Sequence, residues 1–533
     1  IIDAAIEQLP PEVRSLTSDQ IGQTLKIRRD QLATAIEQYY TMLAKYIDLV
    51  GSDAKEYFAL KRLENGDVEA KVFKLKKGKK QGRLLYYRLF KKQETQEIRL
   101  HGLGQEDYFD ISGTAKRSIL IRVIGGEGQD IIQDRSSVKG LGKLTKIYDH
   151  RQEDQLLLEG EAKKVFTARP LVLDPQQIYK DNYLVVLPYL AYNLDDGLII
   201  GLAGRSIVQG FNKPDFKVLT SFKGEVTTMG NYGLKINTQF RHWIRQWDLV
   251  MGINAVGNDR NFQRFYGIGN ETILDESLRD ADFYENNTAS VDVFVGLRRD
   301  FFQRSFFTTT LIYDYNEVIS ESKNSELGSI YDQLPPNNGL GKTHLFGLEQ
   351  SLDLDFRNER HFPTKGTQFR LQNYTFFNPS LNWETGGRLE SELSAFFTKG
   401  KKLPITLSLK GGVSKAYGDV PFYHLSYLGQ QSNHRGFLRN RFAGETAAFL
   451  NTDLRIHFGT KVTSIIPIKY GIFGLCDLGR VWSDAEASSK LHTAFGGGFY
   501  LIPYKESANL TFTFAHSDQN DLLFSFRIGF FVK

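Results

Sequence analysis

Residues 450–458 read Leu-Asn-Thr-Asp-Leu-Arg-Ile-His-Phe and alternate between apolar and polar side chains along most of their length. Successive side chains of a β-strand point to opposite faces, so this stretch predicts a strand with one apolar and one polar face. Leu454 and Ile456 belong to the apolar face, and Asp453 and Arg455 belong to the polar face. Such a strand fits either a soluble sandwich, whose polar face is wetted by solvent, or a barrel that crosses a membrane.

The same alternation recurs in one segment after another from about residue 183 to the C-terminus. We count about sixteen segments, at roughly 22 residues for each strand and its connection, and an even strand number is typical of bacterial outer-membrane barrels. Soluble sandwiches usually have shorter strands. The predicted strands are 183–192, 197–209, 214–228, 230–242, 245–256, 288–298, 302–316, 343–357, 365–378, 383–398, 403–416, 445–458, 467–481, 491–502, 506–516 and 521–532.

The lengths of the connections distinguish the two architectures. The long connections, 257–287, 317–342 and 417–444, follow the fifth, seventh and eleventh strands, so all three fall at one end of a barrel. Outer-membrane barrels have short periplasmic turns and longer extracellular loops, whereas an arbitrary soluble β protein has no reason to obey this parity. The sequence therefore predicts an all-β transmembrane barrel of about 16 antiparallel strands over 183–533, located in the bacterial outer membrane and preceded by a small α+β periplasmic domain.

The composition excludes several other classes of protein. The chain has 533 residues, a net charge of +5 and a single cysteine, Cys476, which excludes an intrachain disulfide and a cysteine-rich zinc site. The longest apolar stretch, 183–192, is shorter than the roughly 18 residues that a membrane-spanning helix needs. A mild excess of Lys and Arg does not indicate a nucleic-acid partner.

Catalytic motifs are also missing from the sequence. We find no Ser-His-Asp arrangement, no Gly-x-Ser-x-Gly elbow and no phosphate-binding loop. The ten His residues are scattered, and none is assigned as a ligand. We therefore assign no catalytic residue and no cofactor within this chain, and whether the protein is an enzyme stays open.

The region before the predicted barrel has two parts. Residues 1–55 predict a helical segment, since Ile21, Leu25 and Leu32 recur at helical spacings with charged residues between them. From residue 56 the period shifts toward two, which predicts a small β-rich periplasmic domain over 56–182.

Two similar segments, 102–111 and 125–134, lie in that β-rich domain. The second, Gly-Gly-Glu-Gly-Gln-Asp-Ile-Ile-Gln-Asp, matches the repeat of calcium-binding parallel β-rolls, in which glycine forms the tight turn and aspartate faces the ion. Asp107 and Asp130 are therefore candidate calcium ligands. Such sites are built from several tandem repeats and only two imperfect copies occur here, so the alternative interpretation is a pair of glycine-rich strand turns.

Four motifs in the predicted barrel resemble the BamA/TamA superfamily of outer-membrane assembly barrels, also called bacterial surface antigens. His434-Arg435-Gly436-Phe437 resembles the Arg-Gly-aromatic signature of the sixth extracellular loop of that family. Residues 474–482, Gly-Leu-Cys-Asp-Leu-Gly-Arg-Val-Trp, resemble its Asp-x-Gly strand motif and contain Asp477 and Gly479.

The other two motifs flank this pair. Asp355-Phe356-Arg357 with Phe362-Pro363-Thr364-Lys365-Gly366 is similar to a strand of the family and its periplasmic turn. Residues 451–455 resemble the strand after the signature loop, with Asp453 where the family more often has Glu. Together the motifs follow the order of the family over about 350 residues, 183–533.

The resemblance implies that the signature loop folds back into the barrel lumen. Alternation along the strands places Asp453 and Asp477 on the inward face, where they would hold Arg435 as an ion pair together with Gly436, Phe437 and Gly479 of the motifs. This role would be structural and not catalytic. The alternative is that Arg435 is a solvated loop arginine.

The first and last strands carry residues that weaken β pairing. Pro188 cannot donate a ladder hydrogen bond, and Gly529 weakens the last strand. A seam formed by Pro188, Tyr189, Arg527 and Gly529 could open and expose strand edges to an incoming strand, which is the lateral gate that the resemblance implies. The alternative is that Pro188 lies at the periplasmic start of its strand, where it costs nothing.

The resemblance implies a barrel that inserts or translocates outer-membrane proteins, with client proteins, outer-membrane lipids and accessory subunits as partners. Residues 1–182 lack the β-α-α-β-β order of the POTRA domains that such barrels usually carry. The stretch from Glu97 through the Gly-Asp segments instead resembles the connecting region of Bacteroidota proteins that fuse a calcineurin-like metallophosphoesterase to such a barrel. The second hypothesis is therefore an anchor or export barrel for a phosphoesterase upstream of Ile1, and the third is a passive porin.

Overall fold

The computed structural model describes the chain except for a set of short segments and single positions. These are residues 76–81, 141, 150–154, 167–180, 194–196, 212, 214, 259–263, 281–282, 285, 303, 320–329, 334–338, 361, 380–383, 430–432, 463–466, 485, 504–507 and 531–533. The chain divides into two compact units, Ile1–Tyr179 and Lys180–Lys533.

The first unit begins with two helices, α1 (Ile2–Glu7) and α2 (Pro11–Ala44). Proline suits the first helical position because its fixed φ matches the helix and no N–H is needed there. α1 packs on α2 where Ile6 approaches Gly22, and Lys26 Nζ of α2 lies 2.7 Å from Asp3 Oδ1 of α1. No helix among the described residues is both long enough and apolar enough to cross a membrane.

The described part of the first unit then forms a series of short strands. They are β1 (Tyr46–Val50), β2 (Glu56–Arg62), β3 (Val68–Lys74), β4 (Leu84–Phe90), β5 (Glu97–Gly104), β6 (Tyr108–Ser112), β7 (Thr114–Ala115), β8 (Leu120–Glu127), β9 (Ile131–Asp134), β10 (Ser137–Val138), β11 (Thr145–Asp149), β12 (Gln155–Leu158) and β13 (Lys163–Phe166).

These strands build two main sheets. One is wholly parallel in the order β1-β5-β8-β11-β13. The other has the order β12-β9-β6-β2-β3-β4, and only its pairs β2–β3 and β3–β4 are antiparallel. The chain passes from one sheet to the other at β1–β2, β5–β6, β8–β9 and β11–β12, so each of these pairs is one coil of a parallel β-solenoid. Apolar side chains of both sheets form one core, in which the rings of Phe58 and Phe109 stack at 4.8 Å.

The first unit differs from the sequence-based prediction in two respects. The strand Tyr46–Val50 lies inside the segment predicted as helical to residue 55, because α2 ends at Ala44 and β1 pairs with β5. The two Gly-Asp segments are neighbouring coils, with Tyr108 aligned to Ile131, and a further coil stacks on them with Tyr57 aligned to Tyr108. The helices precede the strands, so the described elements do not follow a β-α-α-β-β order.

The second unit is a closed barrel of sixteen strands. Two further short strands, β25 (Ser426–Leu428) and β26 (Phe442–Gly444), form a separate hairpin that is not part of the barrel sheet. The barrel strands are β14 (Tyr183–Asn193), β15 (Gly197–Val208), β16 (Val218–Thr227), β17 (Asn231–Ile244), β18 (Trp247–Asn258), β19 (Asn287–Phe301), β20 (Ser305–Ile319), β21 (Gly341–Asp355), β22 (Gly366–Asn378), β23 (Glu384–Lys399), β24 (Ile405–Gly418), β27 (Thr446–Val462), β28 (Pro467–Trp482), β29 (His492–Pro503), β30 (Ala508–Ser517) and β31 (Leu523–Phe530).

The observed strands confirm the predicted all-β barrel. Every barrel strand matches a predicted one, and no bound differs by more than four residues. All neighbouring barrel strands are antiparallel, and β14 closes the barrel by pairing with β31. The connections 259–286, 320–340 and 419–445 follow the fifth, seventh and eleventh strands, as the parity of the sequence predicted.

The two faces of the barrel wall differ in character. Along β27, Leu450 and Leu454 are exposed on one face, while Asn451, Asp453 and Arg455 lie on the other. Exposed apolar side chains on the outside of a barrel face lipid, and the polar face lines the lumen. The loops 259–286, 320–340 and 419–445 also share one apolar core, with Phe265, Tyr331 and Phe422 among its buried members.

Candidate functional site in the barrel lumen

The signature loop, defined as residues 419–445, connects β24 to β27 and contains the β25–β26 hairpin. His434 to Phe437 lie between the two hairpin strands. They contact side chains on the lumen face of β27 and β28 and a backbone carbonyl of β29. The site is therefore a junction between a loop and the inner wall of the barrel.

Arg435 contacts carboxylates on two neighbouring strands. Its Nε and Nη2 atoms donate to Oδ2 and Oδ1 of Asp477 at 2.8 and 2.5 Å, and its Nη1 atom donates to Asp453 Oδ1 at 2.7 Å. The backbone N–H of Arg435 also donates to Asp477 Oδ2 at 2.8 Å. The two acids share a face because Asn451 is aligned with Asp477 across β27 and β28, and Asp453 lies two residues further along. A fork of this kind holds a guanidinium in one orientation.

The contacts of Arg435 are largely removed from water. The Asp477 side chain is fully buried, and the side chains of Arg435 and Asp453 are 14% and 16% exposed. Burial would lower the pKa of Arg435, but hydrogen bonds to Asp477 and the charges of both aspartates outweigh it and raise the pKa above its ordinary value. Arg435 is therefore a permanent charge whose counter-charges cannot be replaced by water without cost.

Two glycines allow the loop to lie close to the wall. A Cβ on Gly436 would be 2.3 Å from the Cβ of Ala494, and the Gly436 carbonyl accepts a hydrogen bond from Ser517 Oγ at 2.7 Å. A Cβ on Gly479 would be 2.7 Å from a methyl group of Leu428. Any side chain at either position would push the loop away from the wall.

Phe437 anchors the apolar part of the junction. It is 2% exposed and packs with Leu428, Phe442 and Val481. Its ring contacts the ring of His434 edge to face at 4.7 Å. The signature therefore combines a charged fork with a buried aromatic contact two residues away.

His434 links the signature loop to the loop 259–286. Its Nε2 atom is 3.1 Å from the carbonyl oxygen of His492, and His492 Nε2 is in turn 3.0 Å from the carbonyl oxygen of Asn270. Asn270 also accepts a hydrogen bond from the Val481 N–H at 3.1 Å. Burial lowers the pKa of His434, which favours the neutral imidazole. Sequence reasoning missed Asn270 because its partners lie more than two hundred positions away.

A second set of contacts holds the other arm of the signature loop. His424 Nε2 lies 3.2 Å from Asp314 Oδ2 of β20, and the hydroxyls of Tyr423 and Thr343 are 2.5 Å apart. β20 and β21 are the seventh and eighth barrel strands, whereas Asp453 and Asp477 are on the twelfth and thirteenth. The loop therefore spans the lumen between two well-separated parts of the wall.

Arg441 is a further buried residue that the sequence did not single out. It is 1% exposed, and its Nη2 and Nη1 atoms donate to the carbonyl and hydroxyl oxygens of Thr272 at 2.6 and 2.8 Å. Its guanidinium lies over the Phe442 ring at 4.5 Å, and Nε donates to Gln519 Oε1 at 2.7 Å. Its only signal in the sequence is its position, six residues after Arg435 in the same connection.

The described pairing between the first and last barrel strands covers three residues of each strand. In the described residues β14 pairs with β31 only over 190–192 and 526–528, whereas it pairs with β15 along its whole length. Pro188 is the sixth residue of β14 and therefore not at its start, and pairing with β31 does not reach Pro188 or Tyr189. Arg527 pairs with Ala191, and Gly529 pairs only with Asn509 of β30. The side chains of 527–530 lie outside the described residues.

Aromatic rings bridge this seam on the outer face. The rings of Phe499 and Phe512 stack at 4.3 Å, those of Phe512 and Phe526 at 5.8 Å, and those of Phe526 and Tyr192 at 6.1 Å. Each pair consists of directly opposed residues on neighbouring strands. Stacked rings thus cross from β29 to β14 at the described part of the seam.

The candidate calcium ligands have a different environment. Asp107 Oδ1 accepts the backbone N–H of Glu56, and Asp130 Oδ1 accepts the backbone N–H of Asp107, both at 2.8 Å. Burial raises the pKa of Asp107 to about 8, and the charges of Asp130 and Glu56 add to this. The described residues contain no group of three or more His, Cys, Asp or Glu side chains placed to hold a metal ion. The carboxylates of Asp107 and Asp130 thus accept backbone hydrogen bonds that join successive coils of the solenoid.

Comparison with known proteins identifies the class of barrel. A model of the Omp85 superfamily domain matches residues 221–531, which is more than half of the chain. The chain belongs to the Omp85 superfamily and is an outer-membrane β-barrel protein with its N-terminal region in the periplasm. This confirms the family resemblance and the location predicted from the sequence.

Several solved structures are similar to the chain. BamA from Haemophilus ducreyi lacking POTRA domains 1–3 shares 12% identity at a TM-score of 0.46, over 71% of this chain and 73% of that chain. CdiB from Acinetobacter baumannii shares 14% identity at a TM-score of 0.43, over 69% and 62%. CdiB from Escherichia coli shares 10% identity at a TM-score of 0.42, over 69% and 64%. No curated protein matches the chain by sequence.

The phosphoesterase hypothesis is not tested by these comparisons. The superfamily match begins at residue 221 and concerns the barrel alone. A metallophosphoesterase fused to this barrel therefore stays a prediction from the sequence.

Proposed function

We propose that this outer-membrane barrel inserts or translocates other proteins, and that the seam between β14 and β31 opens as a lateral gate. The observation that carries the proposal is the restriction of described seam pairing to 190–192 and 526–528, next to full-length pairing on the other side of β14. Opening the described part of this seam breaks few hydrogen bonds. The exposed edges then offer unpaired N–H and C=O groups to a strand of the client protein.

Pro188 and Gly529 support the gate for different reasons. Pro188 lies in the interior of β14 and has no N–H to donate, and Gly529 has no side chain to pack in its strand. Tyr189 and Arg527 are the adjacent seam residues, and the pairing of Arg527 with Ala191 is one of those that opening would break. The gate residues therefore act through pairing and carry out no chemical step.

The signature loop supports the gate from inside the barrel. Arg435 with Asp477 and Asp453 holds one arm of the loop, and His424 with Asp314 holds the other. Because both arms of the signature loop are attached to the wall, the strands between the two attachment points stay in place while the β14–β31 seam opens. The partners of this function are client β-barrel or exported proteins, the surrounding outer-membrane lipids, and accessory subunits.

A reversible cross-link tests the gate directly. Tyr192→Cys with Phe526→Cys, in a Cys476→Ser background, joins residues that are aligned across the seam. Oxidation should leave the barrel folded but stop assembly of an unfolded client barrel into liposomes that contain the protein. A reducing agent should restore the activity.

The matched control places the same cross-link two strand pairs away from the seam. Phe499→Cys with Phe512→Cys joins another pair of aligned, stacked aromatic residues, on β29 and β30. Oxidation of this control should not reduce assembly. Full activity of the oxidised seam variant would contradict the gate.

Depletion of the protein from its cells identifies the clients. Quantitative proteomics and lipid analysis of the outer membrane should show the loss of particular barrels or exported proteins with the lipids unchanged. Unchanged barrels with altered phospholipid or lipopolysaccharide would contradict the insertion function.

A further inference from the structure

A cavity on the lumen face of β22, β23, β24 and β27 is lined mainly by basic side chains. Its volume is about 360 Å³, and it also includes residues of the turn 356–365 between β21 and β22. We call this cavity the basic chamber. Its basic side chains are Arg357, Arg360, Arg370, Lys410, Arg435 and Arg455.

Carboxylates neutralise most of these cations. Two acids, Glu392 and Asp453, line the chamber itself, and three others pair with its cations without lining it. The ion pairs are Arg357–Asp355, Arg370–Asp353, Lys410–Glu392, Arg435–Asp477 and Arg455–Asp453. Six cations against five carboxylates leave one positive charge in excess.

Arg360 accounts for that excess. It forms no ion pair with any residue that the structure describes, although its side chain lines the chamber. Arg360 is exposed, and partial desolvation of its guanidinium together with the neighbouring charges of Arg298 and Arg357 lowers its pKa. A lowered pKa means that the surroundings of Arg360 disfavour its positive charge, so an anion bound beside Arg360 would stabilise that charge.

The geometry of the donors indicates the kind of anion. Arg360 lies on the turn, Arg370 on β22, Lys410 on β24 and Arg455 on β27, so the cations converge from four elements. Hydroxyl groups of Ser394 and Ser408 also line the chamber. A planar carboxylate is satisfied by one guanidinium fork, whereas the oxygens of a tetrahedral phosphate accept donors from several directions.

We infer that the basic chamber is a binding site for a phosphate group, with Arg360 as the lining cation that forms no ion pair among the described residues. The volume accommodates a phosphate together with a small substituent or ordered water. The phosphate belongs either to free inorganic phosphate or to the monoester headgroup of a lipid. Binding at this site does not depend on the proposed insertion function.

Calorimetric titration of the purified full chain in an uncharged detergent tests this inference. Low ionic strength is used because salt screens the attraction of an anion to the site. Inorganic phosphate should bind with saturation at one site per chain. Arg360→Gln should weaken this binding about tenfold or more, since a hydrogen bond between charged groups is lost.

A matched variant controls for the change in net charge. Arg299→Gln removes one positive charge next to Arg298 on β19, whose charge acts on Arg360. Arg299 itself contacts Gln246 and Trp247 and does not line the chamber. Its phosphate affinity should equal that of the unmodified protein. Arg370→Gln is a second chamber variant, for use if Arg360→Gln does not fold, and it should weaken binding similarly.

Three results would overturn the inference. They are the absence of saturable binding up to about 10 mM phosphate, equal affinities of the Arg360→Gln and Arg299→Gln variants, and equal affinity for malonate, a planar dicarboxylate. The same titration in nanodiscs identifies the source of the phosphate. Phosphatidic acid in the nanodisc should compete with inorganic phosphate if the ligand is a lipid headgroup, and free phosphate is the ligand if phosphatidic acid does not compete.

Discussion

Replacement of Arg435 by leucine should release the signature loop from the barrel wall. The change removes three side-chain hydrogen bonds to Asp477 and Asp453. It leaves the fully buried Asp477 with the backbone N–H of residue 435 and the side chain of Asn451, and without a cation. Asp453 keeps a contact with Arg455 at 3.2 Å. The main cost therefore falls on the unpaired carboxylate of Asp477.

The free-energy cost of Arg435→Leu depends on the burial of this ion pair. Breaking one partner of a buried ion pair typically costs about 3–5 kcal/mol, and both Arg435 and Asp477 are buried enough that solvent screening does not reduce this much. Such a change raises the population of the detached loop by roughly two to four orders of magnitude. The double variant Arg435→Leu with Asp477→Leu should recover most of the loss, because it leaves no uncompensated charge at that position.

Protease accessibility of the signature loop on intact cells measures this population. Arg435→Leu should be cleaved much faster than the unmodified protein, and the double variant should regain protection. Lys490→Ala is the control, because its ion pair with Asp518 is exposed and contributes about 0–1 kcal/mol. Unchanged protection in Arg435→Leu, or a double variant cleaved faster than the single one, would refute the reasoning.

Three further predictions concern the loop, the solenoid and the seam. Gly436→Ala should detach the loop at a cost of about 1–3 kcal/mol, because the new Cβ has no space beside the wall. The same protease assay measures the detachment. Gly224→Ala is the neutral control, because a Cβ there meets no atom within 4 Å. The pKa of Asp107 is raised by burial to about 8 in the folded state, so the first unit should lose stability as pH rises from about 4 to 8. Asp107→Asn should remove this loss in calorimetry at the two pH values, and a loss that persists would contradict it. Tyr192→Ala removes the ring stacked on Phe526 and should destabilise the seam by about 1 kcal/mol. Backbone hydrogen exchange at 190–192 should become faster. Exchange as slow as in the unmodified protein would argue against a role for stacking.

The third coil of the solenoid shows where the sequence pattern was incomplete. Gly51, Gly102 and Gly125 each precede an acidic residue by five positions, and each glycine packs against that carboxylate. The sequence revealed only the copies at 102 and 125, since the hairpin of β3 and β4 separates the first copy from the others. Repeats are recognised by regular spacing, and an insertion removes that signal although the coils still stack.

Within the barrel, local alternation was sufficient for the strands and for the two aspartates. Side-chain direction in a strand depends only on the pleat, so Asp453 and Asp477 could be placed on one face without knowledge of the rest of the fold. The parity of the connections depends only on counting strands. Neither property requires contacts between distant parts of the chain.

Other features required the tertiary structure. The contact of His424 with Asp314, the burial of Arg441 against Thr272 and the convergence of cations around Arg360 all join residues far apart in sequence. These contacts depend on the path of the loop and on which strands face each other across the lumen. The alternation of residues thus determined the strands, their faces and their order. Barrel closure decided which residues of β14 and β31 are aligned at the seam and which charges meet in the lumen, because register and loop path are set by the packing of the whole barrel.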